Sequence, residues 1–272
     1  MESMKRNYEL ALEVLEELKE ELGTSKKDQE GADRSQPQLA PAPLAETLDQ
    51  FGNLPPAALF LGAAYDGLPI LLNLNDPTPG PILIAGDQGS GKTAFLQTIA
   101  QAATIIHPKS DVQFGIVTDY PNEWKSFEDN DHCMGVFPTY KSETDDFIIS
   151  LADWAHHNHQ ESRFALLLID SLESMLEMNE EVQRHLRWLL LRGPNRRVWS
   201  FVTLNAQRSK QVRPWLDAFR TRLFGAVKNI RDAEAISRTR GANLHLLEPK
   251  LEFLLNENRQ WVKFWIPPIK SK

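Results

Sequence analysis

A glycine-rich segment in the first half of the chain has the residue types and spacing of a phosphate-binding loop. Residues 86–93 read GDQGSGKT and fit G-x-x-x-x-G-K-[ST] at every fixed position. The three glycines let the backbone bend so that its N–H groups point inward at phosphate oxygens, and a following helix adds a positive N-terminal end. We therefore predict that a nucleotide is bound by Gly86, Asp87, Gln88, Gly89, Ser90, Gly91, Lys92, Thr93 and Ala94.

Two side chains of this loop have separate predicted roles. Lys92 would reach the β- and γ-phosphates, and the hydroxyl of Thr93 would complete the coordination shell of Mg²⁺. The predicted ligand is therefore ATP with Mg²⁺.

An apolar segment ending in a carboxylate supplies the second motif. Residues 164–170 read FALLLID, and an ionised Asp170 at the end of a buried strand is costly unless a cation accompanies it. We predict that Asp170 supports Mg²⁺ together with Thr93. Asp119, which follows the strand-like residues 112–118, is the alternative.

ATP hydrolysis also requires a group that orients or deprotonates the attacking water. Many motor ATPases have a Glu directly after the strand-end Asp, but Ser171, a poor base, holds that position here. Glu173 is the nearest carboxylate and Glu177 lies a further turn away. We predict weak to moderate hydrolysis through Glu173; the alternative is a site that binds ATP and hydrolyses it slowly.

A later apolar strand runs into polar residues that can sense the nucleotide. Residues 198–204 are followed by Asn205 and Gln207. Gln207 is the predicted γ-phosphate sensor, with Asn205 as the second choice. The alternative is that both side chains only cap the following loop.

The elements that must position these residues alternate between strand and helix. Predicted strands cover residues 59–63, 70–74, 82–85, 112–118, 164–169, 198–204, 223–227, 251–255 and 261–265. Predicted helices cover residues 94–106, 145–157, 180–191, 213–219 and 232–238. Apolar strands alternating with helices indicate an α/β fold with a mainly parallel sheet sandwiched by helices. A hairpin at each end of the domain adds antiparallel edges.

Three regions follow from composition. Residues 4–22 predict an amphipathic helix with a heptad seam that docks on a partner or on the main domain, or else is an ordinary surface helix. Residues 23–50, rich in Pro, Ala, Gln and charge, predict a flexible linker. Residues 51–272 form the predicted ATPase domain.

Charge is distributed unevenly along the 272 residues. The chain has a net charge of −7, yet between Arg184 and Arg240 there are 14 Lys and Arg against three acids, a local balance of 14 − 3 = +11. This segment favours a face that meets nucleic acid; the alternative is that its arginines form internal ion pairs or line subunit interfaces. With no membrane span and a single cysteine, Cys133, the predicted location is the cytoplasm.

The order of these motifs resembles the FtsK/HerA superfamily of hexameric DNA-pumping ATPases, over roughly residues 58–268. The segments that carry the resemblance are residues 61–74 (hairpin), 81–93 (phosphate loop), 203–208 (TLNAQR), 221–227 (TRLFGAV) and 241–265 (closing helix and final strands). The resemblance implies a RecA-like P-loop NTPase core and a ring of subunits with ATP bound between neighbours.

Residue by residue, the resemblance implies nucleotide contact by residues 86–93, Mg²⁺ support by Asp170 and γ-phosphate sensing by Gln207. It also implies an arginine that reaches the neighbouring subunit's nucleotide. Arg222 matches an arginine position of the family, and the rivals are Arg208, Arg238 and Arg240. Ser171 departs from the family's usual Glu.

The leading hypothesis is therefore an ATP-driven motor subunit acting on double-stranded DNA in a homo-oligomeric ring. One alternative is a catalytically weak ATP-binding module that assembles with a protein partner through residues 4–22. The other is a protein-translocation ATPase of a secretion system.

Overall fold

The computed structural model describes residues 42–158, 162–257 and 260–269. The predicted helix over residues 4–22 and residues 23–41 of the predicted linker lie outside these ranges. Within them, no helix has the length and apolar character needed to cross a lipid bilayer.

Ten strands of the described residues form one sheet with the order β2-β1-β10-β9-β8-β3-β7-β6-β4-β5. The strands are β1 (Ala58–Ala64), β2 (Pro69–Asn73), β3 (Ile82–Gly86), β4 (Val112–Thr118), β5 (Cys133–Pro138), β6 (Phe164–Asp170), β7 (Val198–Asn205), β8 (Thr221–Phe224), β9 (Glu252–Glu257) and β10 (Gln260–Trp265). The helices are α1 (Leu44–Phe51), α2 (Lys92–Ile106), α3 (Lys125–Glu128), α4 (Ser142–His157), α5 (Leu172–Met175), α6 (Glu180–Arg192) and α7 (Ile230–Ser237). Short 3-10 helices cover Pro121–Trp124, Gly193–Arg196, Ala206–Arg208, Arg213–Ala218 and Leu244–Leu246.

The sheet has a parallel half and an antiparallel half. Strands β8, β3, β7, β6, β4 and β5 are parallel, with β3 between β7 and β8. The hairpins β1–β2 and β9–β10 are antiparallel, and β9 also pairs antiparallel with β8. Both predicted hairpins are present, and because they adjoin each other they extend the sheet on one side only.

The parallel strands are buried on both faces, which explains their near-continuous apolar sequences. Along β6, Leu167 and Ile169 pack into a core beneath helices α4, α6 and α7. Leu166 and Leu168 point to the opposite core, beneath α2 and α3. This two-sided cover confirms the predicted α/β sandwich.

The last part of the predicted linker is a helix. Residues 44–50 belong to α1, whose Leu44 and Leu48 pack against Phe60 of β1 and Ala102 of α2. The prediction of a flexible linker is wrong for residues 44–50. Their apolar stripe is short, and the Pro- and Ala-rich composition of the surrounding segment indicated a linker. Strand β5 was also missed, since most of its residues are only half-buried.

Because α1 buries its apolar stripe, we expect Leu48→Ala to lower the free energy of unfolding by about 2–4 kcal/mol, the usual cost of truncating a buried leucine. Denaturant unfolding measures it, and Gln50→Ala, exposed on the same helix, is the matched control. Equal stabilities of the two variants would contradict the docked position of α1.

Candidate nucleotide-binding site

The predicted site residues meet where parallel strands end. Gly86 at the end of β3 pairs with Asn205 of β7, and Thr118 of β4 pairs with Asp170 of β6. The carboxyl edge of such a sheet is where ligands bind in open α/β folds. The glycine-rich loop, Asp170 and the tip of β7 therefore share one edge.

The loop has the backbone that its glycines were predicted to allow. Gly89 and Gly91 adopt φ of 77° and 98°, in the left-handed region that favours glycine, and α2 begins at Lys92. Lys92 Nζ donates to the carbonyl oxygens of Gly86 (3.1 Å) and Asp87 (2.8 Å). Burial lowers the pKa of Lys92, and the negative charges of Glu173, Asp170 and Asp87 oppose that shift.

Residues beyond β8 anchor the loop from one side. The N–H of Asp87 donates to the carbonyl of Ala226 (2.9 Å), and the N–H of Lys228 donates to Asp87 Oδ2 (2.8 Å). Strand β8 therefore ends at Phe224 rather than continuing to residue 227 as predicted, because the following backbone bonds the loop instead. Asp87 thus stabilises the loop through its backbone and its carboxylate.

Asp170 lies where the sequence predicted a magnesium-supporting carboxylate. Its Oδ2 accepts from Thr93 Oγ1 (2.8 Å) and its Oδ1 from Thr203 Oγ1 (3.0 Å). Burial raises the pKa of Asp170, whereas the two hydroxyl donors lower it. Carboxylate and hydroxyl oxygens are the hard donors that Mg²⁺ prefers, so Thr93 and Asp170 fit this ion. The partner Thr203 begins the TLNAQR segment that carries the family resemblance, but the sequence predicted no role for it.

Glu173 lies close to Asp170 and Lys92. Its Oε1 accepts from the N–H of Asn205 (2.8 Å) and its Oε2 from Ser171 Oγ (3.1 Å). Ser171 adopts φ 113° and ψ 104°, which is a strained backbone conformation for a non-glycine residue. The chain turns back at Ser171, and Glu173 thereby reaches the tip of β7.

Asp119, the alternative carboxylate, is engaged elsewhere. It accepts hydrogen bonds from the hydroxyls of Thr139 and Ser174. These bonds join the tips of β4 and β5 to α5, so Asp119 organises the neighbourhood of the site. Asp170 accepts the hydrogen bond from the Thr93 hydroxyl and is therefore the carboxylate in contact with the loop.

The tip of β7 carries the predicted sensor. Asn205 Oδ1 accepts from the N–H of Gln207 (3.2 Å), so Asn205 caps the short helix Ala206–Arg208, as one of the sequence alternatives stated. The side chain of Gln207 is exposed. Its role as a γ-phosphate sensor stays a prediction.

Arg222 does not join the other predicted residues. It pairs with Leu83, three residues before Gly86 on β3, and its guanidinium donates to the carbonyls of Phe219 (3.2 Å), Ile236 (2.9 Å) and Leu216 (2.6 Å). These bonds give Arg222 a structural role in its own chain and disfavour a role at a neighbour's nucleotide. Among the rivals, Arg238 pairs with Asp217 (2.5 Å), and the side chains of Arg208 and Arg240 are exposed.

A glycine-rich loop at a helix N-terminus, beside a strand-end carboxylate, defines a P-loop nucleotide-binding domain. Solved structures share this fold. EccC of Thermomonospora curvata (ATPases 2 and 3, in complex with a signal sequence peptide) has a TM-score of 0.66 at 15% identity, covering 90% of this chain and 46% of that chain. EssC of Geobacillus thermodenitrificans (ATPases 2 and 3) has a TM-score of 0.66 at 12% identity, covering 87% and 49%. The pCW3 conjugation coupling protein TcpA, in monomer form with ATPγS, has a TM-score of 0.65 at 16% identity, covering 96% and 82%.

This chain spans about half the length of the EccC and EssC structures. No family model and no curated protein matches the sequence. The likeness to solved structures establishes the fold alone, the RecA-like P-loop NTPase fold that the FtsK/HerA resemblance implied.

The raised pKa of Asp170 has a consequence for stability. Between the unfolded-chain pKa of about 3.9 and the higher folded pKa, the native state holds the proton that the unfolded chain has released. Stability from this group is therefore lost as pH rises through that window. We expect Asp170→Asn to gain stability relative to the parent over the same window, in buffer without magnesium or nucleotide.

Urea unfolding of both proteins between pH 3.5 and pH 8 measures this difference. At the lowest pH both side chains are neutral, so the two stabilities should converge there. A difference that is constant with pH would contradict the assignment to Asp170.

Proposed function

We propose that this protein binds ATP with Mg²⁺ and hydrolyses it. The observation that carries the proposal is the 2.8 Å hydrogen bond from Thr93 to Asp170, which joins the phosphate loop to the strand-end carboxylate. Together with the loop backbone and Lys92, this pair supplies the groups that cradle the phosphates and hold Mg²⁺ in a site of this class.

The chain's own residues have the following roles in this proposal. Loop amides and the N-terminus of α2 cradle the phosphates, and Lys92 exchanges its two carbonyl partners for phosphate oxygens. Thr93 and Asp170 hold Mg²⁺, which when bound offsets negative charge on the phosphates. Glu173 orients the attacking water and accepts its proton, after one of its carboxylate oxygens is freed from Asn205 or Ser171. Gln207 senses the γ-phosphate.

The wider assignment is a motor subunit of FtsK/HerA type that works in an oligomeric ring in the cytoplasm. Support comes from the shared fold, since the similar structures include secretion ATPases and a conjugation coupling protein. A neighbouring subunit would add an arginine to the nucleotide. Because Arg222 is bonded within its own chain, Arg208 and Arg240 are the preferred candidates.

Double-stranded DNA is the proposed cargo because of the basic segment between Arg184 and Arg240. Of its 14 Lys and Arg, 11 have exposed side chains in the structure. Arg238 forms an ion pair with Asp217. Because most side chains of this set are exposed, their positive charge is available to phosphate groups.

Protein translocation is the second candidate, favoured by the likeness to EccC, whose ATPases 2 and 3 were solved with a signal sequence peptide. A non-hydrolysing ATP-binding module, with residues 4–22 as the partner-binding element, is the third. Both of these candidates bind ATP, as the DNA motor does. The nature of the cargo distinguishes protein translocation from the DNA motor, and the absence of ATP turnover distinguishes the module.

Nucleotide binding and phosphate release test the central proposal. Parent protein should bind ATP in magnesium buffer, and Lys92→Ala should bind roughly 10–100-fold more weakly, because a charged hydrogen bond to phosphate is lost. Glu173→Gln should still bind ATP but release phosphate about 10²–10⁴-fold more slowly, the usual contribution of a general base.

Glu177→Gln is the matched control, since Glu177 is exposed and follows Glu173 by one turn. Unchanged turnover in Glu173→Gln would remove the proposed role of Glu173. ATP binding without phosphate release, with or without DNA, would favour the module.

Binding to duplex DNA at several salt concentrations tests the cargo. We expect log affinity to fall steeply with log salt, and the double variant Arg184→Ala/Arg192→Ala on α6 to reduce that slope by up to about two. Lys109→Ala, exposed but outside the basic segment, should leave the slope unchanged. Absent or salt-independent binding would exclude this surface as a DNA site and favour protein as the cargo.

A further inference from the structure

A turn at residues 248–252, which leads into the first residue of β9, lies directly against the phosphate loop. The N–H of Lys250 donates to the carbonyl of Ser90 (2.9 Å). A Cβ built on Gly91 would lie 2.5 Å from Lys250 Cα, so the two backbones touch there. No motif assigned this turn a role, yet it contacts the loop as closely as the residues beyond β8.

The buried carboxylate of Glu252 stabilises the turn at residues 248–252. Glu252 is 6% exposed and accepts from the N–H of Glu248 (2.9 Å). Lys263 Nζ lies 2.6 Å from Glu252 Oε1, and the hydroxyl of Tyr65 donates to the same oxygen. The position of Lys250 is therefore determined by the fold.

Lys250 itself is in an unusual state for a lysine. Its φ is +69°, a strained backbone conformation that residues with an L side chain rarely adopt. The side chain is exposed, so packing does not require it, and glycine would occupy this position without strain. Among the described residues its ammonium has no hydrogen bond or ion pair. A strained backbone that presents a charge is a feature of ligand sites.

The sheet order indicates which part of a nucleotide faces this lysine. Asp170 and Glu173 lie on the β7–β6 side of β3, so the Mg²⁺-bound γ-phosphate end points to that side. The α-phosphate and nucleoside then extend towards the opposite side, over β8 and β9. Lys250 precedes β9 at this edge, because β9 runs antiparallel to β8.

We infer that Lys250 binds the α-phosphate end of the nucleotide, as the second lysine of the site beside Lys92. The inference rests on the proposed ATP binding. The Lys250 Cα lies against the loop backbone at Gly91. Its flexible four-carbon side chain therefore allows the ammonium to reach a phosphate oxygen of a nucleotide bound in the loop. The contact is shared by ATP and ADP, since both carry the α-phosphate.

Titration of a fluorescent ATP analogue and a fluorescent ADP analogue against the parent, two Lys250 variants and one control variant tests this inference. Lys250→Gly should bind both nucleotides roughly tenfold or more weakly than the parent, the loss of a charge-assisted hydrogen bond. Its thermal unfolding midpoint without nucleotide should equal or exceed the parent's, because the strain at φ +69° is relieved. Lys250→Arg keeps the charge and should retain most of the affinity.

Arg231→Ala is the control, because Arg231 is an exposed cation on α7, which follows the segment beyond β8. An equal loss of affinity in Arg231→Ala would indicate a general effect of lost positive charge and overturn the assignment to Lys250. Parent-like affinity of Lys250→Gly, or an equal loss in Lys250→Arg, would also overturn it while leaving the proposed function intact. Failure of the parent to bind either nucleotide would overturn the proposed function and this inference together.

Discussion

The site depends on a carboxylate, Asp170, that is 8% exposed at the end of a strand buried on both faces. Removing a charge from water is unfavourable unless partners replace the lost hydration. Two neutral hydroxyls, from Thr93 and Thr203, replace part of it, which leaves the pKa of Asp170 raised by burial. A bound cation would provide the remainder. The burial that makes β6 a core strand therefore favours a cation beside its last residue, as the proposed function requires.

Asp170 contacts the phosphate loop on one side, through Thr93. Segments next to the antiparallel half of the sheet contact the loop on the other side. The segment after β8 holds Asp87, and the turn before β9 holds Ser90. The phosphate loop therefore lies between the β6–β7 side, which carries Asp170 and Glu173, and the β8–β9 side. Because β9 and β10 place this turn beside β3, the final hairpin contributes to the site as well as to the sheet.

The sequence was informative where local rules dominate. Apolar runs such as residues 164–169 indicate strands covered on both faces, and the loop pattern carries its own chemistry. Non-local contacts were not predictable. The three carbonyl groups that accept hydrogen bonds from Arg222 belong to residues at separate positions in the sequence. The turn at residues 248–252 contacts the loop only because β9 pairs with β8. Helix α1 was missed for a different reason, since its apolar stripe is short and follows a Pro- and Ala-rich segment.

Ser171 follows Asp170 directly, and its backbone adopts φ 113° at the end of β6. The nearest carboxylate beyond it is that of Glu173, two residues further along the chain. Both carboxylate oxygens of Glu173 accept hydrogen bonds, from the N–H of Asn205 and from Ser171 Oγ. Asn205 also caps the short helix that carries Gln207. Movement of that helix towards a γ-phosphate would therefore disturb the bond that restrains Glu173, so sensing and water activation would be coupled at one backbone amide.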